Sequence, residues 1–319
     1  MNKSEYLWHY TTLEGLKGIL ENQNIWATDY RFLNDSTELH TAKEIFIRNL
    51  IPDIKEMILD DCSVNKENEN IVKTHGGIDN LSRLDAQNVL QVFYDVLNDR
   101  FTTYLISFCS HTDDSEFIQN NGLLSQWRGY GKNGGFAILF NKEKLIELFE
   151  KEYDEYELFF CNQDKCIYNS PKPVSEVFKS ALNNVNKLSA RVYKHSKEWL
   201  TNNRLAATEE EIKSFNNCVS FLKHEAFKEE SEHRFVIMKP NELIGKNKKE
   251  KEIHFRKKSG EKIPYIRVFE NMGRLPIVKI IIGPHQDQKH FEISLKSFLN
   301  ELGLNEIEII KSEIPYREG

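Results

Sequence analysis

The feature that most constrains this chain is uneven spacing between strand-like segments. Short runs with strand character fall at Leu7–Tyr10, Asn24–Thr28, Tyr104–Cys109, Gly135–Phe140, His233–Met238, Ile263–Phe269, Ile277–Ile282 and Glu306–Ile310. The segments between them range from short turns to helical blocks of many turns. A doubly wound sheet needs a helix of similar length after nearly every strand, and this pattern lacks that regularity. The expectation is therefore an α+β fold with one mixed, mostly antiparallel sheet. Helical blocks are inserted at about 40–100 and 173–228 in a single domain spanning 1–319.

Local signals refine this outline. Thr11 with Glu14 three residues on predicts a capped helix carrying Leu13, Leu16, Ile19 and Leu20 on one face. Ala42, Ile45, Phe46 and Leu50 predict a second helix, disturbed at Pro52. Residues 63–82 are polar and contain Gly76-Gly77, which reads as a loop. Helical spacing returns over Leu84–Leu97, Asn141 caps a helix to about Glu152, and Thr208 with Glu211 opens another that runs through 208–228. Gly129–Gly135 reads as a glycine-rich turn. A final helix over His290–Leu302 ends at Gly303.

Bulk properties exclude some classes. Hydrophobic residues make up 39% and charged residues 29%, which is a globular balance. A formal net charge of −6 argues against general nucleic-acid coating, which needs a basic surface. No apolar run has bilayer length, and Met1–Tyr6 lacks the layout of a secretion signal. Five cysteines, an odd number in a long chain, do not suggest a disulfide framework, so a reduced cytoplasm is expected. The lysines at 246, 248, 249 and 251, interrupted by Glu250, read as a solvated loop.

Four segments hold groups able to do chemistry. His9, between Trp8 and Tyr10-Thr11, sits where a strand meets a helix start and can hydrogen-bond a ligand hydroxyl. Asn34, Asp35 and Glu38 follow the second strand and suit either a helix cap or a polar site. Trp127 and Tyr130 lie beside Gly129, Gly131, Gly134 and Gly135, an arrangement that can receive a flat ring or simply make a turn. Glu230, Glu232 and Arg234 alternate along a strand, so one carboxylate can pair with Arg234 and leave the other for a substrate. No metal site is expected: Cys161 and Cys166 lack a second pair at zinc spacing.

In order along the chain, His9-Tyr10-Thr11, Ile19-Leu20, Leu33 to Glu38, Phe108 to Ser110, Trp127 to Phe140, Glu230 to Arg234 and Ile281 to Gly283 resemble domain-of-unknown-function family 2971. That family is distantly similar to ADP-ribosyltransferases of the His-Tyr-Glu type. The resemblance implies an ADP-ribosyltransferase-like sheet core and NAD as substrate. His9 would bind the adenosine ribose, and Tyr130 or Trp127 (Tyr30 as a further choice) would stack on nicotinamide. Glu232 would act as the catalytic carboxylate with Arg234 orienting it, and Tyr10, Thr11, Asn34 and Asp35 would complete the NAD contacts. It further implies a protein or nucleic-acid acceptor, and a toxin or phage-defence role with an antitoxin or defence-system partner. The tyrosine that established transferases carry on the second strand has no counterpart here. Two other readings stand beside this one. One is a metal-dependent nuclease or phosphoesterase built on Asp35, Glu38, Glu230 and Glu232. The other is a nucleotide-binding module without turnover.

Overall fold

The structure is a computed structural model and describes residues 5–33, 37–111, 114–131, 134–168, 176–194, 208–242, 248–258 and 260–315. Its first part runs β1 (Tyr6–Thr11), α1 (Leu13–Asn22), β2 (Ile25–Asp29), α2 (Thr37–Val64), α3 (Glu67–Thr74), α4 (Ile78–Arg100) and β3 (Phe101–Cys109). Then come α5 (Glu116–Asn121), α6 (Leu124–Tyr130), β4 (Phe136–Asn141), α7 (Lys142–Glu155), β5 (Phe160–Lys165), β6 (Ile167–Tyr168) and α8 (Glu176–Lys194). The chain continues with α9 (Glu209–Phe221), β7 (Leu222–Lys223), β8 (Glu232–Pro240), β9 (Ile253–Lys258), β10 (Glu261–Val268), β11 (Ile277–Ile282), α10 (Gln288–Glu301) and β12 (Glu308–Lys311).

Ten strands form one mixed, mostly antiparallel sheet in an α+β fold. The path is β12-β11-β4-β1-β3-β2-β10-β9, with β8 on the other edge of β3 and β5 outside β8. Within this sheet only β11 and β12 are described as pairing in parallel. One core fills the space between the sheet and α1, α7 and α10, through residues such as Leu16, Phe108, Phe140, Phe149, Phe235 and Leu299. A second core joins α2, α4, α8 and α9 around Phe46, Phe93, Val185 and Phe215, and reaches the sheet at Phe101 and Met238. The two helical blocks thus share one apolar interior, which buries the faces that neither could cover alone.

Several local expectations are corrected. The α1 cap is Thr12, not Thr11: its side chain accepts from Gly15 N, and Thr11 stays in β1. Pro52 does not break α2, because Leu50, Ile54 and Ile58 on either side are buried in the helical core. Residues 63–82 are helical except for short turns: α3 follows α2 closely, and Gly76 and Gly77, at φ 78° and 103°, turn the chain into α4. The helix from Thr208 keeps its capping box but ends at Phe221, not 228. Trp127 to Tyr130 belong to α6 rather than to a turn. Strand β5 has the polar sequence Phe-Cys-Asn-Gln-Asp-Lys and gives no alternating signal; its register on β8 holds it.

The lysine run is less solvated than its composition suggests. Lys246 lies outside the described residues, Lys249 pairs with Glu155 at 2.9 Å, and Lys251 is buried against Glu152 with its ammonium 3.7 Å from the Tyr156 ring centroid.

One irregularity of the sheet positions the site. Strand β1 meets β3 through Trp8↔Cys109, whereas β2 meets it through Thr28↔Leu105 and Asp29↔Tyr104. Ile106, Ser107 and Phe108 between these contacts pair with β8 on one edge and with neither β1 nor β2 on the other. The sheet forks there. His9 answers one backbone group at this open edge: its Nδ1 donates to Ser107 O at 3.3 Å.

Candidate functional site

A cavity of about 720 Å³ opens at the fork. It falls within the range of roughly 300–1,000 Å³ common for small-molecule and cofactor sites. Its lining brings together His9, Tyr10, Thr11, Ser107, Tyr130, Lys223, Glu230, Glu232, Arg234 and Arg256, residues far apart in sequence.

Strand pairing fixes how the two principal residues are related. Trp8↔Cys109 and Cys109↔Glu232 put Trp8 and Glu232 on one face of the sheet. His9, the next residue, leaves β1 on the opposite face and meets Phe108 edge-on, with ring centroids 5.7 Å apart. Both still line one cavity, because the lining includes residues from both faces across the gap between β1 and β2.

Glu232 opens β8 directly after Ser231, whose φ of 44° lies in the left-handed region. That turn separates Glu230 from the strand, so the three charged residues do not form a simple alternating row. Glu232 is 3% exposed. Arg234 donates from Nε to Glu232 Oε1 at 2.7 Å and from Nη2 to Oε2 at 3.3 Å, and Lys223 contacts Oε2. Lys223 also donates to Glu230 Oε2 at 2.6 Å. Burial alone would push the Glu232 carboxyl up, but Arg234 and Lys223 outweigh it and hold the pKa at about 2. The same carboxylates overcome burial at Lys223 and push its pKa up. Arg234 is braced in turn by Nη1 donating to Ser220 O at 2.8 Å.

His9 is half-buried, and burial lowers its pKa below the usual value of 6.5. With the Nδ1 proton given to Ser107 O, the neutral ring presents Nε2 as an acceptor. Tyr10 lines the cavity but its hydroxyl is committed elsewhere. It accepts from Leu123 N at 2.9 Å and contacts His111 Nε2 at 3.0 Å, while His111 Nδ1 reaches Asp114 at 2.7 Å. Tyr130 is 43% exposed on the wall; burial, then the Glu230 charge, raises its hydroxyl pKa.

Other expected site residues stand elsewhere. Trp127 is not among the cavity-lining residues: it is 4% exposed, its Nε1 donates to Asn121 O at 3.0 Å, and its ring packs edge-on against Tyr10. Of the neighbouring glycines, Gly131 makes room for this indole, together with Gly122 and Gly283. A Cβ on Gly122, Gly131 or Gly283 would fall within 2.9 Å of Trp127 ring atoms. Tyr30 donates to Asn98 Oδ1 at 3.1 Å and does not line the cavity. Asn34 and Asp35 lie outside the described residues, as does the side chain of Glu38. Between the remaining carboxylates of the proposed metal set, Glu230 and Glu232, stands the Lys223 ammonium, where a shared cation would have to sit.

Lys223, Arg256, Trp26, Gln126 and Phe227 line the cavity without having been singled out in the sequence. Lys223 had one local signal: a lone cation directly after the apolar end of a helix, Val219 to Leu222. Arg256 and Trp26 reach the cavity only through long-range strand pairing.

The fold and site therefore define an α+β protein with a ligand-sized cavity at a forked sheet, walled by a buried, cation-held glutamate. Residues 126–235 match the model of the family described as "Protein of unknown function (DUF2971)", in line with the resemblance of the sequence motifs. The match includes Tyr130, Lys223, Glu230, Glu232 and Arg234, while His9 and Arg256 lie outside it. No curated protein and no solved structure matches the chain. Among the described residues, no helix is long and apolar enough to cross a membrane.

Proposed function

We propose that this chain is an ADP-ribosyltransferase-like enzyme that consumes NAD and transfers ADP-ribose to a macromolecular acceptor, with a toxin or phage-defence role. The observation that carries the reading is that His9 and Glu232 line one cavity, with Tyr130 on its wall. An elongated dinucleotide suits a cavity lined from both faces of the sheet better than a compact ligand does.

In this reading NAD supplies the glycosidic bond to be broken, and the chain supplies positioning and charge. His9 Nε2 accepts from a ribose hydroxyl. Tyr130 offers its ring to nicotinamide. As the carbon–nitrogen bond breaks, its electron pair leaves with nicotinamide and positive charge grows at the anomeric carbon. Glu232, fixed and ionised, faces that charge, the arrangement in which a carboxylate is most effective. Its Oε1 accepts one described hydrogen bond, from Arg234 Nε, and so retains a lone pair for the ribose. The acceptor then bonds to the anomeric carbon and gives up its proton.

A second reading, nucleotide binding without turnover, is favoured by one observation. Lys223 and Arg234 offset the charges of Glu230 and Glu232, so the quartet sums to zero. Nicotinamide release from NAD separates the two. The transferase reading expects release by the wild type and a loss of at least about 100-fold in Glu232→Gln, the order typical of a lost electrostatic contact. NAD bound intact, with no release in the presence of protein and nucleic-acid acceptors, would overturn it.

A further inference from the structure

Arg256, on β9, is half-buried, yet among the described residues it has no carboxylate partner. Its Nη2 donates to Thr28 Oγ1 at 3.2 Å, and its Nε is buried with no hydrogen-bond partner among the described residues. No carboxylate among the described residues pairs with it, whereas Arg31, Arg191 and Arg234 each hold one at 2.6 to 2.7 Å. Burial accordingly lowers the Arg256 pKa without an opposing carboxylate. A half-buried guanidinium with no carboxylate is unfavourable, and an anion bound to it would offset that. Since Arg256 lines the cavity, an anion entering there can reach it.

A ring platform stands on the same face. Thr28↔Tyr265, Trp26↔Arg267, Tyr265↔His254 and Ile263↔Arg256 are paired, so Trp26, Thr28, Tyr265, His254 and Arg256 share one side of the β2-β10-β9 wing. Thr28↔Leu105 makes it the side that carries Glu232. The Trp26 indole stacks on Tyr265 with centroids 4.2 Å apart and 25° between planes, and His254 lies against Tyr265 at 5.6 Å. Trp26 nevertheless remains 45% exposed while lining the cavity. An indole braced on one side and exposed on the other is a stacking surface with little entropy left to lose.

We propose that Arg256 and Trp26 form a nucleoside-phosphate subsite of the cavity, in which the guanidinium takes a phosphate and the indole stacks on the base. The planar guanidinium fork matches phosphate oxygens. Naming NAD as the nucleotide, with its pyrophosphate at Arg256 and adenine on Trp26, rests on the transferase reading; the subsite itself does not.

Calorimetric titration of AMP and of inorganic pyrophosphate into the full chain tests this. Arg256→Gln is expected to weaken both probes by about 10–100-fold, the range of a lost charge-assisted contact. Arg256→Lys should retain part of the affinity, and Trp26→Ala should weaken AMP while leaving pyrophosphate unchanged. Melting of Arg256→Gln is expected within a few degrees of wild type, since among the described residues its guanidinium hydrogen-bonds only Thr28. Wild-type protein that binds neither probe, or Arg256→Gln that binds both as tightly as wild type, overturns the subsite. If both probes bind through Arg256 while NAD yields no nicotinamide, the subsite stands and the transferase reading falls. If NAD is turned over and Arg256→Gln leaves its KM unchanged, the transferase reading stands and the subsite falls.

Discussion

The Lys223 ammonium, from the short strand β7, and the Glu232 carboxylate, at the start of β8, are in direct contact, both buried. Neither charge would be tolerable there alone. Lys223→Met keeps the length and removes the charge, leaving Glu232 with Arg234 only and Glu230 without its cation. Breaking a buried pair on one side costs about 3–5 kcal/mol. Because Glu232 keeps Arg234, a loss near the lower end, about 3 kcal/mol, is expected from urea unfolding at pH 7. The difference from wild type should be smaller at pH 3, where carboxylates of the unfolded chain and of the variant take up protons.

Acid stability should fall in two stages. His233 is buried, its Nε2 donating to Gln163 Oε1 at 2.6 Å, and burial holds its pKa down at about 3. A histidine kept neutral in the fold binds its proton more readily when unfolded, so stability is lost as pH falls from about 6.5 toward 3. Glu232, at about 2 in the fold, contributes stability that is complete above its ordinary value of 4.5 and lost as pH falls toward 2. Denaturant midpoints across pH 7 to 3 should therefore begin to decline above pH 4.5, before the Glu232 contribution is lost. His233→Gln should shallow the limb between pH 6.5 and 4.5, and an unchanged slope there would contradict the assignment.

Trp127 and Tyr130, neighbours on α6, should separate stability from ligand binding. Trp127→Phe removes a buried hydrogen bond and leaves space among Gly122, Gly131 and Gly283, so a loss of about 2–3 kcal/mol is expected. Tyr130→Ala exposes no core and should cost under about 1 kcal/mol, yet weaken NAD binding or slow nicotinamide release. Chemical denaturation and NAD titration of both variants check the contrast.

His9 should titrate below the usual histidine range, taking up its second proton at Nε2 while Nδ1 keeps the one it donates to Ser107 O. Nitrogen-15 spectra of the imidazole are expected to show a neutral Nδ1–H ring at pH 7, with the Nε2 signal moving when NAD is added. A charged ring at pH 7, or a proton on Nε2, would remove the proposed acceptor.

What could be read from the sequence follows the range of each interaction. The Thr208–Glu211 capping box, the Asn141 cap and the apolar run of β8 are local signals, and the structure contains all three. Helix α3 could not be read, because none of its residues is buried and so no apolar face marks it. His9, Tyr130, Glu230, Glu232 and Arg234 were legible as residue types. Lys223 was hidden behind a helix that ends at Phe221 sooner than its periodicity suggests. Arg256 and Trp26 meet the cavity only because β9 and β10 fold back onto β2, and nothing within either segment specifies that pairing. Trp127 misled for a related reason: glycines around an aromatic look the same in sequence whether they admit a ligand or seat the ring itself.

The most direct test of a shared His9–Glu232 cavity is a crystal structure with a non-hydrolysable NAD analogue. The expected density runs through the fork between β1 and β2, with a ribose hydroxyl on His9 Nε2, the nicotinamide ribose at Glu232 and the nicotinamide ring against Tyr130. An empty fork at saturating analogue, or a ligand bound elsewhere with Glu232 still sealed behind Lys223 and Arg234, would contradict it.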